Sequence, residues 1–453
     1  MENIHKINTI QDVNNLDQAQ KDEHFRHLYD DQPNFKTLAR LDPDFAILEK
    51  EKDLDFTDPR VVMQLTKTLL KLDFGLYLDL PYNRLCPTVK NRHNYILWLK
   101  DLLDSTSEAG IDAKRVGMDI GTGASCIYPL LGCVQRPWSF LAVDIDEESL
   151  TWARRNIILN DLDSRIRLLK SSNQGPIFPI EEAGIDYLDF TMTNPPFYTS
   201  EEEMAESAAK KNLPPLTACT GAPVEMVTTG GEVEFVTRMV TQSLETRTKV
   251  QWYTAMFGFL SSVSKIVDLL HEHKIDNFAV TEFVQGVKTR RWAIAWSFHD
   301  NRPTQAVCRG IKADAVPKSV LPSSTEATVV RLTALTDISA FAEDFQTAIS
   351  KLDLEIWEWD KYKLEGKGRA RDKVWARAWR RKRKRAASGV AEEDVSLDDR
   401  QNVFGFMVLI HVESDAAIIS SRWTQGHDAV AFESFRGFLK ATAKACAAKL
   451  ASK

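Results

Sequence analysis

The chain predicts an α/β fold built on a mostly parallel sheet, with a helical region before it and a smaller α+β module after it. Three observations carry this reading. From residue 115 to 300, short apolar runs alternate with amphipathic segments, the pattern of strands separated by crossover helices. Before residue 110, apolar residues recur at helical spacing. Beyond residue 300 the composition shifts to Pro, Ser and Thr, and a new set of strand and helix patterns follows.

Taken in order, residues 1–22 are polar and are expected to be loose. Residues 23–110 read as a helical N-terminal region. In "FTDPRVVMQLTKTLLKLDFG", Asp58 can cap, Pro59 suits the first helical position, and Gly75 lies just past a stop. A second helix runs through "RHNYILWLKDLL". Residues 111–300 form the α/β domain, with strands at 115–120, 139–144, 165–169, 187–193, 250–257, 277–284 and 291–298. The last two, joined by "QGVKTR", read as an antiparallel hairpin. Residues 301–327 read as a linker, and 328–453 as a C-terminal α+β module. Within that module Trp357 and Trp359 alternate with acids as on a strand, "VFGFMVLIHV" is a second strand, and the chain closes on a helix.

The totals fit a globular chain. Of 453 residues, 43% are hydrophobic and 27% charged, ample for a large core. The net charge of −6 does not advertise nucleic-acid binding, although a total can hide a local patch. Six cysteines (Cys86, Cys126, Cys133, Cys219, Cys308 and Cys446) show no CxxC pair and no zinc-ligand spacing. They read as reduced thiols of an intracellular protein, and no metal site is expected. The first twenty residues lack the apolar core of a secretion signal, and no stretch is apolar enough to span a bilayer.

Three constellations carry chemistry. In "RVGMDIGTGASCIYPLLG", a strand ends at Asp119, and Gly121-Thr122-Gly123 turns into a helix. Glycines let backbone approach a ligand and the helix start supplies free N–H groups, though such a turn also serves packing alone. In "SFLAVDID", a strand ends at Asp144, the spacing at which a nucleotide-binding fold sets an acid on ribose hydroxyls. Ala124-Ser125-Cys126 supplies no third glycine, so a nucleoside without a pyrophosphate fits better than a dinucleotide.

The third constellation is "TNPPFY". Asn194 offers an amide oxygen, and Pro195 a carbonyl with no N–H. Pro195 and Pro196 stiffen the backbone, and Phe197 presents a stacking face. The set suits a planar ring bearing an exocyclic amine, held by both its hydrogens so that the nitrogen lone pair is aimed. The plainer reading is a Pro-Pro loop that ends a strand. In parallel sheets, ligands sit beyond the carboxyl ends of the strands, where all three constellations meet.

At these residues the chain resembles the adenine N6-methyltransferases of the methyltransferase-like-sixteen group. "DIGTGASCIYPLLG" and "NPPF" carry the likeness, with "PDF", "DFGL", "RLCPTV", "NYILWL", "GGEVEFV", "TEFVQG" and "RWAIAWSF", over about residues 24–300. The resemblance implies a Rossmann-like class I methyltransferase with a seven-stranded sheet. It implies S-adenosylmethionine as cofactor, and N6 methylation of an adenosine in a structured RNA such as U6 small nuclear RNA, in the service of splicing. A nuclear location follows, with the cytoplasm also open. Carried onto this chain, Arg84 would hold the cofactor carboxylate; a surface charge or helix-cap partner is the alternative. Asp119, Gly121, Gly123 and Ser125 would line the cofactor site, Asp144 would bind its ribose, and "KSSNQG" would flank its adenine. Asn194, Pro195, Pro196 and Phe197 would take the target base.

A ribosomal RNA enzyme of the same chemistry and an RNA-binding splicing regulator with secondary catalysis are the alternatives. Asn/Asp-Pro-Pro-aromatic motifs also serve cytosine N4- and glutamine N5-methyltransferases. For RNA contact the candidates are Lys210 and Lys211 in the long loop 198–221, then Gln285, Arg290 and Arg291 in the hairpin. Arg377, Arg380, Arg381 and Arg383 lie in the basic segment 361–388. The loop could act as a lid. The basic segment could instead be a nuclear-import signal or a solvated helix face.

Overall fold

The computed structural model describes residues 10–51, 54–200, 202–203, 221–285, 289–312, 314, 316–333, 335, 337–379, 381 and 403–452. The chain divides into two compact units, Met1–Phe298 with Ala313–Val320, and His299–Lys312 with Leu321–Lys453.

The first unit opens with helices α1 (Ile10–Asn14), α2 (Gln18–His27), α3 (Phe35–Leu41), α4 (Pro43–Glu51), α5 (Pro59–Phe74) and α6 (Val89–Thr106). Helix α5 follows its sequence signals. The Asp58 side chain accepts from the Arg60 amide, Pro59 begins the helix, and Gly75 ends it at φ 66°, a left-handed conformation that favours glycine. Helix α6 is buried along most of its length, with Tyr95, Ile96, Leu99, Leu102 and Leu103 fully enclosed. The Tyr95 hydroxyl lies 2.6 Å from that of Thr254, which fixes the helix to the sheet.

Residues 10–22 are not loose, as their polarity suggested. Val13 is buried, and Asp22 forms ion pairs with the enclosed Lys100 at 2.6 Å and with Arg136 at 2.7 Å. Arg136 also reaches Asp104 at 2.6 Å. His93 Nε2 lies 2.8 Å from the Phe25 carbonyl oxygen, and burial pushes its pKa down to about 3, so the ring is neutral. The partners of α2 stand far along the chain, so no local pattern announced its docking.

The sheet of this unit contains β1 (Arg115–Ile120), β2 (Trp138–Asp144), β3 (Ile166–Lys170), β4 (Leu188–Thr193), β5 (Val250–Phe257), β6 (Phe278–Gln285) and β7 (Thr289–Trp296). These strands run in the order β3-β2-β1-β4-β5-β7-β6. The first five are mutually parallel, while β7 is antiparallel to both β5 and β6. This is the Rossmann-like arrangement expected, closed by the expected hairpin. Helices α7 (Ile127–Gln135), α8 (Glu147–Leu159), Gly231–Thr246 and Leu260–Glu272 cross between strands. Gly117 lets the sheet close on Phe190, since a Cβ there would stand 2.3 Å from the ring.

The second unit includes a two-residue strand β8 (Arg309–Gly310) and a five-stranded antiparallel sheet. Its strands are β9 (Glu326–Thr333), β10 (Ile356–Asp360), β11 (Glu365–Ala370), β12 (Phe404–Val412) and β13 (Ala416–Gln425), ordered β10-β11-β12-β13-β9. The helices Ile338–Ser350 and Ala429–Ala451 supply Phe341, Phe345, Phe432, Phe435 and Leu439 to a core shared with Phe404, Phe406, Val408 and Trp423. This is the α+β module expected.

Two boundaries differ from the sequence reading. The segment 301–327 is not a free linker, because Arg302 is buried, stacks over Trp423 at 3.9 Å and donates to the Gly426 carbonyl. Strand β9 already starts at Glu326. Within the basic segment, Glu365–Ala370 is a strand, Trp375 is buried and donates to Ser434, Trp379 packs against the same core, and Arg377 and Arg381 are exposed.

The buried ion pairs of Asp22 make a direct test. Asp22→Ala leaves Lys100 enclosed without its acid and should cost about 3–5 kcal/mol in denaturant unfolding. A cost below about 1 kcal/mol would mean that the pairs do not hold α2 in place.

Candidate active site

Strands β1 and β4 are neighbours, in register Ile120↔Thr193. The glycine turn and the Asn-Pro-Pro corner therefore leave the sheet side by side. The Thr193 hydroxyl donates to the Ile120 carbonyl at 2.8 Å, a side-chain tie between the two ends.

The turn itself is tightly held. Gly121 and Gly123 have φ of 73° and 65°, which makes glycine the suitable residue at both. The amides of Gly121 and Thr122 both donate to the Val143 carbonyl, at 2.9 and 3.0 Å. Asp144, one residue on, accepts from the Gly123 amide at 2.8 Å and from the Asp146 amide at 3.0 Å. Its carboxylate thus braces the turn that it was expected to serve alongside. A Cβ on Gly121 would meet nothing within 4 Å, so open space lies over the turn. The expected "KSSNQG" loop also arrives here, with the Ser171 amide donating to the Asp144 carbonyl at 2.8 Å. Ser125 is buried.

Asp119 is fully enclosed, and neither of its carboxylate oxygens has a hydrogen-bond partner. Burial raises its pKa to about 7, with Asp144 adding to the rise and the Thr122 hydroxyl and Arg92 opposing it. Arg84 is buried as well. Its Nη2 pairs with Glu148 at 2.6 Å and Asp146 at 3.0 Å, while its Nε has no partner.

At the corner, Pro195 is buried, and Asn194 and Phe197 are partly so. The Asn194 Oδ1 is buried with no partner, an acceptor kept from water. Leaving such a group unmet costs about 1–3 kcal/mol, so it marks a place where a donor is expected to arrive. The Phe197 ring packs so close to Gly258 that a Cβ there would be 3.0 Å from it. The Arg291 guanidinium stands 5.4 Å from the Phe197 ring centroid, and burial lowers its pKa.

Some participants escaped the sequence reading. Glu232 accepts from the amides of Gly258 at 2.7 Å and Phe259 at 3.3 Å, so it fixes the backbone beneath Phe197. Burial raises its pKa, and hydrogen bonds from the Ser262 hydroxyl and the Gly258 and Phe259 amides, then Arg291, oppose the rise. The motif "GGEVEFV" contains Glu232, but nothing in its spacing pointed at β5. Glu225 was also missed. Its Oε2 accepts from the amides of Leu85 at 2.8 Å and Ala222 at 2.9 Å.

Residues 17–300 match the model of a family described as RNA methyltransferase. The chain belongs to that RNA methyltransferase family. A relative from Schizosaccharomyces pombe, named U6 small nuclear RNA (adenine-(43)-N(6))-methyltransferase, is 42% identical over 270 residues, covering 59% of this chain and 69% of its own. A Danio rerio relative, named RNA N(6)-adenosine-methyltransferase mettl16, is 37% identical over 353 residues and covers 74% of each chain. The human relative matches over only 51% of its own length and 62% of this one, at 40% identity. Among solved structures, a human catalytic domain in complex with an RNA hairpin from the MAT2A 3′UTR aligns with TM-score 0.54 and 37% identity, covering 60% of this chain and 93% of that one. The N-terminal domain of human METTL16 in complex with SAH aligns with TM-score 0.50 at 37% identity over 60% of this chain and 96% of that one.

The candidate RNA contacts of this methyltransferase fall in both units. Arg290 is exposed and paired with Glu282 at 3.1 Å, while Arg291 turns toward Phe197 and is partly buried. Arg377 and Arg381 are exposed in the second unit. Lys210, Lys211, Arg380, Arg383 and the Gln285 side chain lie outside the described residues, as does most of the loop expected as a lid. Among the described residues no group of His, Cys, Asp or Glu is placed to hold a metal, and no helix is long and apolar enough to cross a membrane.

Asp119 gives the site a pH signature. Its folded pKa of about 7 exceeds its ordinary 3.8, so between those values the folded state keeps a proton that the unfolded chain has released. Stability therefore falls as pH rises through that window. Asp119→Asn should flatten the fall by more than about 1 kcal/mol in unfolding curves taken from pH 4 to 8. An unchanged slope would place the proton elsewhere.

Proposed function

We propose that this RNA methyltransferase transfers a methyl group from S-adenosylmethionine to N6 of an adenosine in structured RNA, with U6 small nuclear RNA as the substrate. The observation that carries the adenine reading is the buried, unmatched Asn194 Oδ1 beside an open glycine turn. The activities for which the S. pombe and Danio rerio relatives are named support the same base and the same atom. A U6 substrate implies a nuclear working place.

The residues present fit the cofactor. Gly121 leaves room over the turn, Arg84 keeps an unmet Nε donor, and Ser125 and Asp144 stand at the same end of the sheet. Arg84 would take the carboxylate, a charge-assisted contact, and Asp144 the ribose hydroxyls. When bound, S-adenosylmethionine supplies a methyl carbon activated by its sulfonium.

The rest of the task falls to the chain. Asn194 Oδ1 and the Pro195 carbonyl would accept the two hydrogens of the adenine amine and turn its lone pair toward the glycine turn. As positive charge develops on that nitrogen, the same two oxygens stabilise it, and their rigid mounting on Pro195 and Pro196 avoids a reorganisation cost. Phe197 would stack on the ring, with its own position set by Gly258 and Glu232. Arg290, Arg291 and the basic stretch around Arg377 and Arg381 would meet phosphates, and the second unit would serve as an RNA-binding accessory domain.

Incubation with labelled S-adenosylmethionine and total nuclear RNA should place the label in N6-methyladenosine of U6. Label confined to ribosomal RNA or to protein would overturn this reading. Asn194→Ala should lower transfer about 100-fold or more while SAH affinity stays within about twofold. Replacing Arg377, Arg380, Arg381 and Arg383 with Gln should reduce the slope of log affinity against log salt by about 0.9 for each phosphate no longer neutralised. An unchanged slope would remove this segment from the RNA interface.

A further inference from the structure

The methionine end of S-adenosylmethionine carries two opposite charges, a carboxylate and an α-ammonium. Arg84 suits the first, but the second needs an acceptor. The acids nearby are mostly committed. Asp144 holds the amides of Gly123 and Asp146, Asp146 holds Ser149 and Arg84, and Glu148 holds Arg84. Asp119 has free oxygens but is wholly enclosed, so a ligand lying where solvent now reaches cannot touch them.

Glu225 differs from all of these. Its four-residue helix, Pro223–Met226, follows the long loop and brings the side chain back to the glycine turn. One oxygen, Oε2, is fixed by the Leu85 and Ala222 amides. The other, Oε1, lies 3.6 Å from the point where a Cβ on Gly123 would stand. Among the described residues Oε1 has no hydrogen-bond partner, and it is not sealed from solvent. Arg84 and Asp144 are both close enough to act on its charge. The carboxylate is therefore anchored at one oxygen and open at the other, facing the turn between the residues assigned to the cofactor's carboxylate and its ribose.

We propose that Glu225 receives the α-ammonium of the cofactor through Oε1 and so selects a zwitterionic amino-acid end. This rests on the reading of the site as an S-adenosylmethionine pocket. It adds a residue from beyond the Asn-Pro-Pro corner to the set that holds the cofactor. The same segment also grips that corner, since the Tyr198 amide donates to the Met226 carbonyl and the Thr228 amide to the Tyr198 carbonyl, both at 3.0 Å.

Calorimetric binding to wild type and Glu225→Gln tests the proposal with three ligands. These are S-adenosylhomocysteine, its analogue lacking the amino group, and 5′-methylthioadenosine, which lacks the amino-acid end altogether. Gln keeps an oxygen for the Leu85 and Ala222 amides and replaces the open, charged acceptor with a neutral NH2 donor. The expected result is an S-adenosylhomocysteine affinity about tenfold weaker in the variant, with 5′-methylthioadenosine unchanged. Removal of the amino group should cost the wild type about tenfold and the variant little. Equal weakening of both nucleosides, which a merely structural role would give, overturns the proposal, and so does no weakening. Should the variant fail to fold, the wild type decides, because equal affinity for S-adenosylhomocysteine and its deaminated analogue also overturns it. A wild type that binds none of the three overturns the cofactor reading itself, and this inference with it.

Discussion

The site depends on two parallel strands ending together. With Ile120 opposite Thr193 and the Thr193 hydroxyl bonded back to the Ile120 carbonyl, the glycine turn and the Asn-Pro-Pro corner cannot drift apart without breaking the sheet. A methyl transfer needs donor and acceptor aligned within a fraction of an ångström, and edges of neighbouring strands give that alignment more rigidly than loops do. Gly117 and Phe190 extend the same logic inward, because the close approach of ring to backbone sets the spacing of β1 and β4.

Around this pair the polar groups fall into two kinds. Some are satisfied and hold the frame, such as Asp144 under the turn and Glu232 under Phe197. Others are enclosed yet unmet, namely Asn194 Oδ1 and Arg84 Nε. Leaving such groups unmet is costly, so these two, beside the glycine turn and the Asn-Pro-Pro corner, suit a place where something polar enters.

Much of this was legible in the sequence because it rests on short-range rules. Strand ends, left-handed glycines and prolines act within a few residues, so Gly121, Gly123, Asp144 and Asn194 stood out before any fold was known. The cap and stop of α5 were readable for the same reason. What escaped depends on distance along the chain. Glu225 reaches Leu85 across 140 residues, and Asp22 reaches Lys100 and Arg136. The Pro-, Ser- and Thr-rich composition of 301–327 suggested slack chain, yet the burial of Arg302 against Trp423 shows that composition is a poor guide where one side chain finds a deep partner. The basic segment holds a strand that its charge did not announce, one whose Gly366 makes room for Trp357.

The pairing of Tyr198 with residues 226–228 has a consequence for how such enzymes can diversify. Tyr198 and residues 226–228 are joined by two backbone bonds and a parallel bridge, so the ends of the stretch between them stand side by side. Lengthening a tether whose ends are already closed costs little, only about 0.6 kcal/mol for each doubling. Insertions, deletions and changes of charge between Glu203 and Gly221 can therefore accumulate at little cost to that closure, so long as Glu225 keeps its hold on the Leu85 and Ala222 amides.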